Sequence, residues 1–367
     1  MTMPQAIPQR RPAPAELAPI LESDIPEAAS FIAVQSGRTI EIVESHLRWF
    51  LLENPARQPE APFGFGLRAG LENNDKLVAC ILCSPQTFCF GTQKIVLMGS
   101  SSFYVEDRYR GQGGRIFLQY CRLGKRWPLF GTSANAQAAA LWSAAGGRPI
   151  PYSDGELFGV LRWPPVAEEF VHRRNANRMF TRLAGSAVSN IVKPLKPLKI
   201  DRWASDTLQL LTAAEQVNDL FILDSSAKLT AWRDSSYIRW RYFSRRDATA
   251  AAFAFRSRSL DRAILVTVNQ RPRGHRGQIN TLNVLDVYPE VPAEEWLRII
   301  SALISRYKKS IDAIVLRSQN QQRQKLFCER GFQSRTFDAP IGWFLDKAKL
   351  LPTLDWYPVP ADGDGLI

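Results

Sequence analysis

Residues 105–115 read Val-Glu-Asp-Arg-Tyr-Arg-Gly-Gln-Gly-Gly-Arg. They lie between a β-rich run and a helix-like run, and their types suit the holding of a phosphate. Gly111, Gly113 and Gly114 let the backbone curl without a Cβ clash, so several N–H groups can converge on one anion. A helix opening behind them adds its positive N-terminal end. The ligand this implies carries a pyrophosphate.

Other chemistry-bearing residues are sparse. The three histidines, His46, His172 and His275, have no neighbouring Asp/Cys pattern of a triad or metal site, so solvated or structural roles are expected and no metal is. Cys80 and Cys83 form a Cys-x-x-Cys, but no second pair exists, and the surrounding Leu-Val-Ala-Cys-Ile-Leu-Cys reads as a buried strand with inert thiols. Five cysteines, an odd number, argue against a disulfide framework and for a reducing cytoplasm. Neither Gly-x-Ser-x-Gly nor His-Glu-x-x-His occurs.

The elements that must position the turn follow from pattern. Asp24-x-x-Glu27 has capping-box spacing with Pro26 in the first turn, so a helix is expected from Asp24. A second runs from Thr39 to the stop at Asn54-Pro55. Strands are expected at Phe63–Arg68, Lys76–Ser84 and Phe88–Val105, the last broken into a hairpin near Gly91-Thr92. After the glycine turn come a helix to about Arg126, a strand at Leu129–Ser133, a helix from Asn135 to Ala145 and a strand pair up to Leu161.

The second half repeats the plan. Thr212-x-x-Glu215 has capping-box spacing before an apolar helix. Strands are expected at Ala250–Arg256, Arg262–Asn269, Gln278–Val287 and Ala313–Ser318. Helices are expected at Pro292–Lys309 and from Asn320 to Gly331. Leu47-Arg48-Trp49 corresponds to Ile238-Arg239-Trp240, and Leu141-Trp142 to Leu326-Phe327. The spacing from Asn135 to Gly146 equals that from Asn320 to Gly331. A repeat this long is two whole domains of one fold.

Helices, an antiparallel meander, a Gly-rich turn, a helix, a strand and an Asn-started helix resemble the GNAT superfamily of acyl-CoA-dependent N-acyltransferases. The order fits over roughly residues 20–160 and more loosely over 205–346. The resemblance implies an α/β (α+β) fold of two tandem domains, each a mixed, mostly antiparallel sheet flanked by helices. It implies acetyl-CoA or another acyl-CoA as cosubstrate. Its site would consist of Val105 for the pantetheine arm, Arg110, Gly111, Gln112, Gly113 and Gly114 for the pyrophosphate, and Asn135 for the coenzyme arm. Arg115 stands where the family prefers Gly or Ala, and must point outward or bind phosphate itself. The family's usual proton-handling positions are here Phe130 and Trp142, both apolar. The second lobe has Val287-Tyr288-Pro289-Glu290-Val291-Pro292 in place of the turn. Its prolines offer no N–H and Glu290 repels phosphate, so no coenzyme is expected there.

The domain reading is a disordered lead-in at 1–15, rather than an export signal, a coenzyme-binding domain at 16–162, a basic helical linker at 163–205, a degenerate copy at 206–346 and a tail at 347–367. A backbone N–H near Val105 can polarise the acyl carbonyl. Glu106 and Asp107 are the nearest acids, with a solvated pair beside Arg108 and Arg110 as the alternative. Ser101 is a relay candidate on the same strand. The formal charge of +12 favours anionic partners. Residues 162–199 hold eight Lys/Arg against two Glu, and a basic-apolar stretch from Val171 could be a foot on a membrane surface or a solvated connector. No nucleic-acid motif is present. The expected activity is acyl transfer to an amine, a small molecule or a glycan precursor such as an amino sugar. A non-catalytic CoA-binding or scaffolding protein and a tRNA-dependent aminoacyl transferase of related fold remain as alternatives.

Overall fold

In the computed structural model, residues 15–70, 76–151, 153, 155–173, 198–199, 206–220, 228–244, 249–260, 262–317, 320–337 and 340–351 are described. The basic foot beyond 173, the first fourteen residues and the tail beyond 351 lie outside them. The chain divides into two compact units.

The first unit holds the described residues up to Pro85, with Leu97–Leu129 and Leu345–Leu350. β1 (Glu16–Ile20) leads into α1 (Ile25–Ser36), which ends on left-handed Gly37 (φ 69°). The expected capping box at Asp24 does not form. Asp24 has no side-chain bond to the helix it precedes. Instead Asp24 and Glu27 both take the guanidinium of Arg68, and Glu27 also accepts from Leu77 N–H at 2.8 Å. A long-range cation outcompetes local capping and ties the start of α1 to the sheet. α2 (Ile40–Leu47) runs into a π-helical turn at Arg48–Leu52, which buries Trp49 and Phe50. β2 (Gly64–Ala69) pairs antiparallel with β1 and with β3 (Lys76–Phe90). β3 continues through Pro85, where a stop was expected at Ser84, because nearly every side chain in it is buried. It turns at Gly91 (φ 59°) into β4 (Gln93–Val105). α3 (Gly113–Arg122) follows.

The second unit holds Gln86–Val96, Phe130–Phe344 and Leu351. β5 (Leu129–Gly131) enters it and α4 (Ala136–Ala144) follows. Then come β6 (Arg148–Pro149), β7 (Gly155–Val160), α5 (Trp163–Arg173), β8 (Thr207–Leu210), β9 (Leu229–Ala231) and α6 (Ser235–Ile238). α6 runs into a second π-helical turn at Arg239–Phe243. The remainder is β10 (Ala250–Arg256), β11 (Ile264–Arg273), β12 (Ile279–Tyr288), α7 (Ala293–Tyr307), β13 (Ala313–Leu316), α8 (Gln321–Glu329), β14 (Gln333–Thr336) and β15 (Trp343–Leu345). The strand order of its large sheet is β14-β7-β13-β12-β11-β10-β8. Only β12–β13 is parallel. β7 precedes the linker in sequence yet pairs with β13 and β14 here. Trp296, Ile300 and Leu303 of α7 and Phe327 of α8 pack on Val266, Val268, Leu282, Val284 and Ile314. Each such side chain contributes roughly 1.5–3 kcal/mol on burial.

Thr212-x-x-Glu215 is also not a capping box. Gln216 Oε1 accepts from Thr212 N–H at 2.8 Å and Ala213 N–H at 3.1 Å, Glu215 pairs with Arg239, and the segment Ala214–Asp219 is a short 3₁₀ turn.

Candidate acyl-CoA site

β4 carries Gly99-Ser100-Ser101-Ser102 at its centre, a run of small residues. Ser102 is left-handed (φ 48°), a conformation that costs a Cβ-bearing residue free energy and kinks a strand. Upstream, Leu97, Met98 and Gly99 are buried; downstream, Ser102–Val105 are half-buried. Glu106 N–H donates to Val78 C=O at 2.9 Å, which holds the end of β4 against β3.

Asp107–Gln112 then forms a 3₁₀ turn. Tyr109 N–H donates to Glu106 C=O at 2.8 Å, and Gly113 N–H closes on Arg110 C=O. α3 begins at Gly113 with no acid in its first turn. Tyr120 Oη donates to Met98 C=O at 2.7 Å, and Phe117 lies 6.0 Å from Phe103, ring to ring. These contacts fix the helix on the strand, and with it the direction of its N-terminal end.

The glycines of the turn are not there for the backbone. Neither Gly111 nor Gly113 has positive φ. A Cβ on Gly111 would meet nothing within 4 Å; one on Gly113 would meet only Val105 Cγ2 at 3.5 Å and Phe103 Cζ at 3.8 Å. Those are ordinary van der Waals distances, so alanine fits the protein at both positions. What glycine adds there is unobstructed approach to the main chain, the use a phosphate makes of it.

The charged residues are arranged loosely. Arg110 pairs with Asp107 at 2.8 Å and Arg108 with Glu106 at 2.9 Å, all but Glu106 well exposed. Such pairs are worth about 0–1 kcal/mol and are readily exchanged for a stronger anion. The Arg115 side chain is exposed. Its Nη1 donates to Ala15 C=O at 2.9 Å and approaches Gln112 Oε1 at 3.3 Å. Ser101 is 4% exposed, its Oγ 3.4 Å from that of Ser102.

Other expected residues lie in the second unit. Asn135 caps α4, its Oδ1 accepting from Ala138 N–H at 2.9 Å. Phe130 and Trp142 are both 2% exposed core residues, Phe130 edge-on to Phe88. His172 stacks on His275 at 3.5 Å, and His275 bonds to Glu169; His46 packs on Trp49 and Phe50 in the first unit. Among the described residues no group of three His, Cys, Asp or Glu side chains could hold a metal, and no helix is long and apolar enough to cross a membrane.

Glu290, in the second lobe's turn, has cationic partners. Lys228 binds it at 2.7 Å and Arg323 at 3.3 Å. Sequence reasoning passed over Ser102 of the first lobe and read Cys80 only as an inert core thiol. Ser102 carries no sequence signal for φ > 0. Cys80 sits in the apolar run of β3, and its Sγ–H donates to Ser102 C=O at 3.4 Å.

No protein-family model matches the sequence, and neither does any curated protein. Solved structures do resemble it. One is a conserved protein of unknown function from Enterococcus faecalis V583, described as a probable N-acyltransferase (TM-score 0.54, 11% identity, 90% of this chain and 72% of that one). Another is a GCN5-related N-acetyltransferase from Anabaena variabilis ATCC 29413 (TM-score 0.53, 11% identity, 90% and 72%). A third is Saccharomyces cerevisiae N-myristoyltransferase with bound myristoyl-CoA (TM-score 0.54, 11% identity, 92% and 81%). At these identities the likeness is one of fold.

Proposed function

We propose, for a chain built on the GCN5-related N-acetyltransferase fold in two copies, that it is an acyl-CoA-dependent N-acyltransferase acting on an amine. The observation that carries this reading is the pair Gly111 and Gly113, which the backbone does not require and a phosphate would. The main chain of 111–114 and the Arg110 guanidinium would hold the pyrophosphate, and Val105 the arm beside it. Bound acyl-CoA would supply the acyl group already activated as a thioester.

The chain's own part is positioning and proton handling. Alignment of the reacting groups can supply much of the rate. The Val105 N–H would polarise the acyl carbonyl. Glu106, next in sequence and about one-third exposed, accepts a proton from the amine through water while Arg108 steadies it. With Phe130 and Trp142 in the core, no strong acid or base stands at the family's usual positions. That favours a weakly basic acceptor such as an amino sugar or a glycan precursor, with acetyl as the simplest acyl group.

Free-thiol release from acetyl-, octanoyl- and myristoyl-CoA, read over a panel of amino sugars, amino acids and peptides, tests the proposal. Turnover above hydrolysis with at least one pair is expected. The same burial of Phe130 and Trp142 motivates a second reading, a coenzyme-binding protein without turnover. Saturable CoA binding with no thiol release anywhere on the panel would select it.

A further inference from the structure

Ser102 is left-handed within β4, which runs beside β3, and a left-handed residue kinks a strand. Beyond the kink, Glu106 N–H donates to Val78 C=O. Between these points lies Cys80, two residues along β3 from Val78 and 0% exposed. Its Sγ–H donates to Ser102 C=O at 3.4 Å, and the same sulfur accepts a hydrogen bond from the Tyr104 backbone. One atom therefore spans the kink, donating on one side and accepting on the other.

We propose that Cys80 is a positioning residue whose thiol ties Ser102 and Tyr104 of β4 to β3 and so aims the Val105 amide at the reacting acyl group; the catalytic half of this rests on the acyltransferase reading above. The position asks for a small side chain with one atom that both donates and accepts. Alanine has none and valine neither donates nor accepts. Serine does both, over a shorter reach. Burial pushes the Cys80 thiol up to about 12, so it keeps its donor proton at neutral pH.

The second lobe uses a side chain in a similar place. β12 skips Leu285 in its pairing with β11, which puts a bulge three residues before the strand's last residue, Tyr288. The next side chain, Asp286, accepts from the Val287 backbone and is held by Arg233 at 2.6 Å. Each kink is thus braced by an adjoining side chain, neutral in one lobe and ionic in the other.

Hydrogen–deuterium exchange over residues 100–106 of the full-length protein decides the structural half without any ligand. In Cys80→Ala, exchange at 103–106 should accelerate about tenfold or more, the loss of roughly one hydrogen bond, with α1 and α3 protected as in wild type. Cys80→Ser should fall between the two, and also stands in should Cys80→Ala not fold. In steady state, Cys80→Ala should lower kcat about tenfold or more while KM for acyl-CoA stays within about twofold, with partial rescue in Cys80→Ser. Unchanged exchange in Cys80→Ala overturns the proposal, as does a loss that appears in KM alone. A wild-type protein that binds no acyl-CoA removes the catalytic half through the parent reading, and the exchange result still judges the brace.

Discussion

β4 and β12 are kinked at the same distance from their ends, Ser102 three residues before Val105 and Leu285 three before Tyr288. Beyond those ends the two lobes part. After β4 comes a turn with glycines that clear the main chain, followed by a helix with no acid in its first turn. After β12 come Pro289, without an N–H, and Glu290, held by Lys228 and Arg323, followed by a helix that opens with Glu294 and Glu295. One lobe leaves its main chain open where we propose an anion binds, and the other has placed a carboxylate of its own against buried cation. The kinked strand and the capped helix therefore belong to the architecture, and the ligand chemistry belongs to the few residues between them.

The largest expected effect falls on the second lobe. Asp286 and Arg233 are both fully buried, and burial pushes the Asp286 carboxyl up more than Arg233 pulls it down. Asp286→Ala removes the carboxylate that binds a buried guanidinium, so denaturant melts should show a loss of about 3–5 kcal/mol. Coenzyme binding measured well below the melting point should be unaltered. The reverse pattern is expected of the double variant Gly111→Ala/Gly113→Ala. Its melting temperature should stay within a few degrees of wild type, while CoA affinity falls about tenfold or more, the worth of one or two hydrogen bonds to a charged group. A melting drop without an affinity loss would mean the glycines serve the fold after all. The two Asn caps should act alike. Asn135→Ala and Asn320→Ala each remove a side-chain bond to a helix N–H, at 2.9 and 3.0 Å, and should each cost about 1 kcal/mol in thermal or chemical melts.

The smallest effect is alkaline. Burial raises Cys80 from 9.0 to about 12. A raised folded-state pKa leaves stability intact below pH 9 and erodes it as pH rises towards 12, because the unfolded thiol ionises first. Unfolding free energy measured from pH 8 to pH 10.5 should fall less steeply in Cys80→Ser than in wild type.

Much of this contrast was legible in the sequence because it depends on local residue types. Leu47-Arg48-Trp49 and Ile238-Arg239-Trp240 both mark a helix passing into a π-helical turn with a buried tryptophan. Asn135 and Asn320 both cap, and Gly146 and Gly331 are both left-handed (φ 84° and 98°). What the sequence hid depends on distant partners. Asp24 and Glu27 have capping-box spacing, but Arg68, some forty residues on, takes both. β7 looked like the close of the first domain and pairs with β13, about 150 residues away, because its partner strand is made later in the chain. The Ser102 kink is invisible since serine carries no mark of left-handed backbone, and Cys80 reads as one more apolar residue until the strand opposite is known.

Calorimetric titration of CoA into wild type, Gly111→Ala/Gly113→Ala and Glu290→Ala tests the central claim most directly. The account predicts one site per chain, weakened in the glycine variant and unchanged in Glu290→Ala. Binding that survives in the glycine variant, or that depends on Glu290, would contradict it.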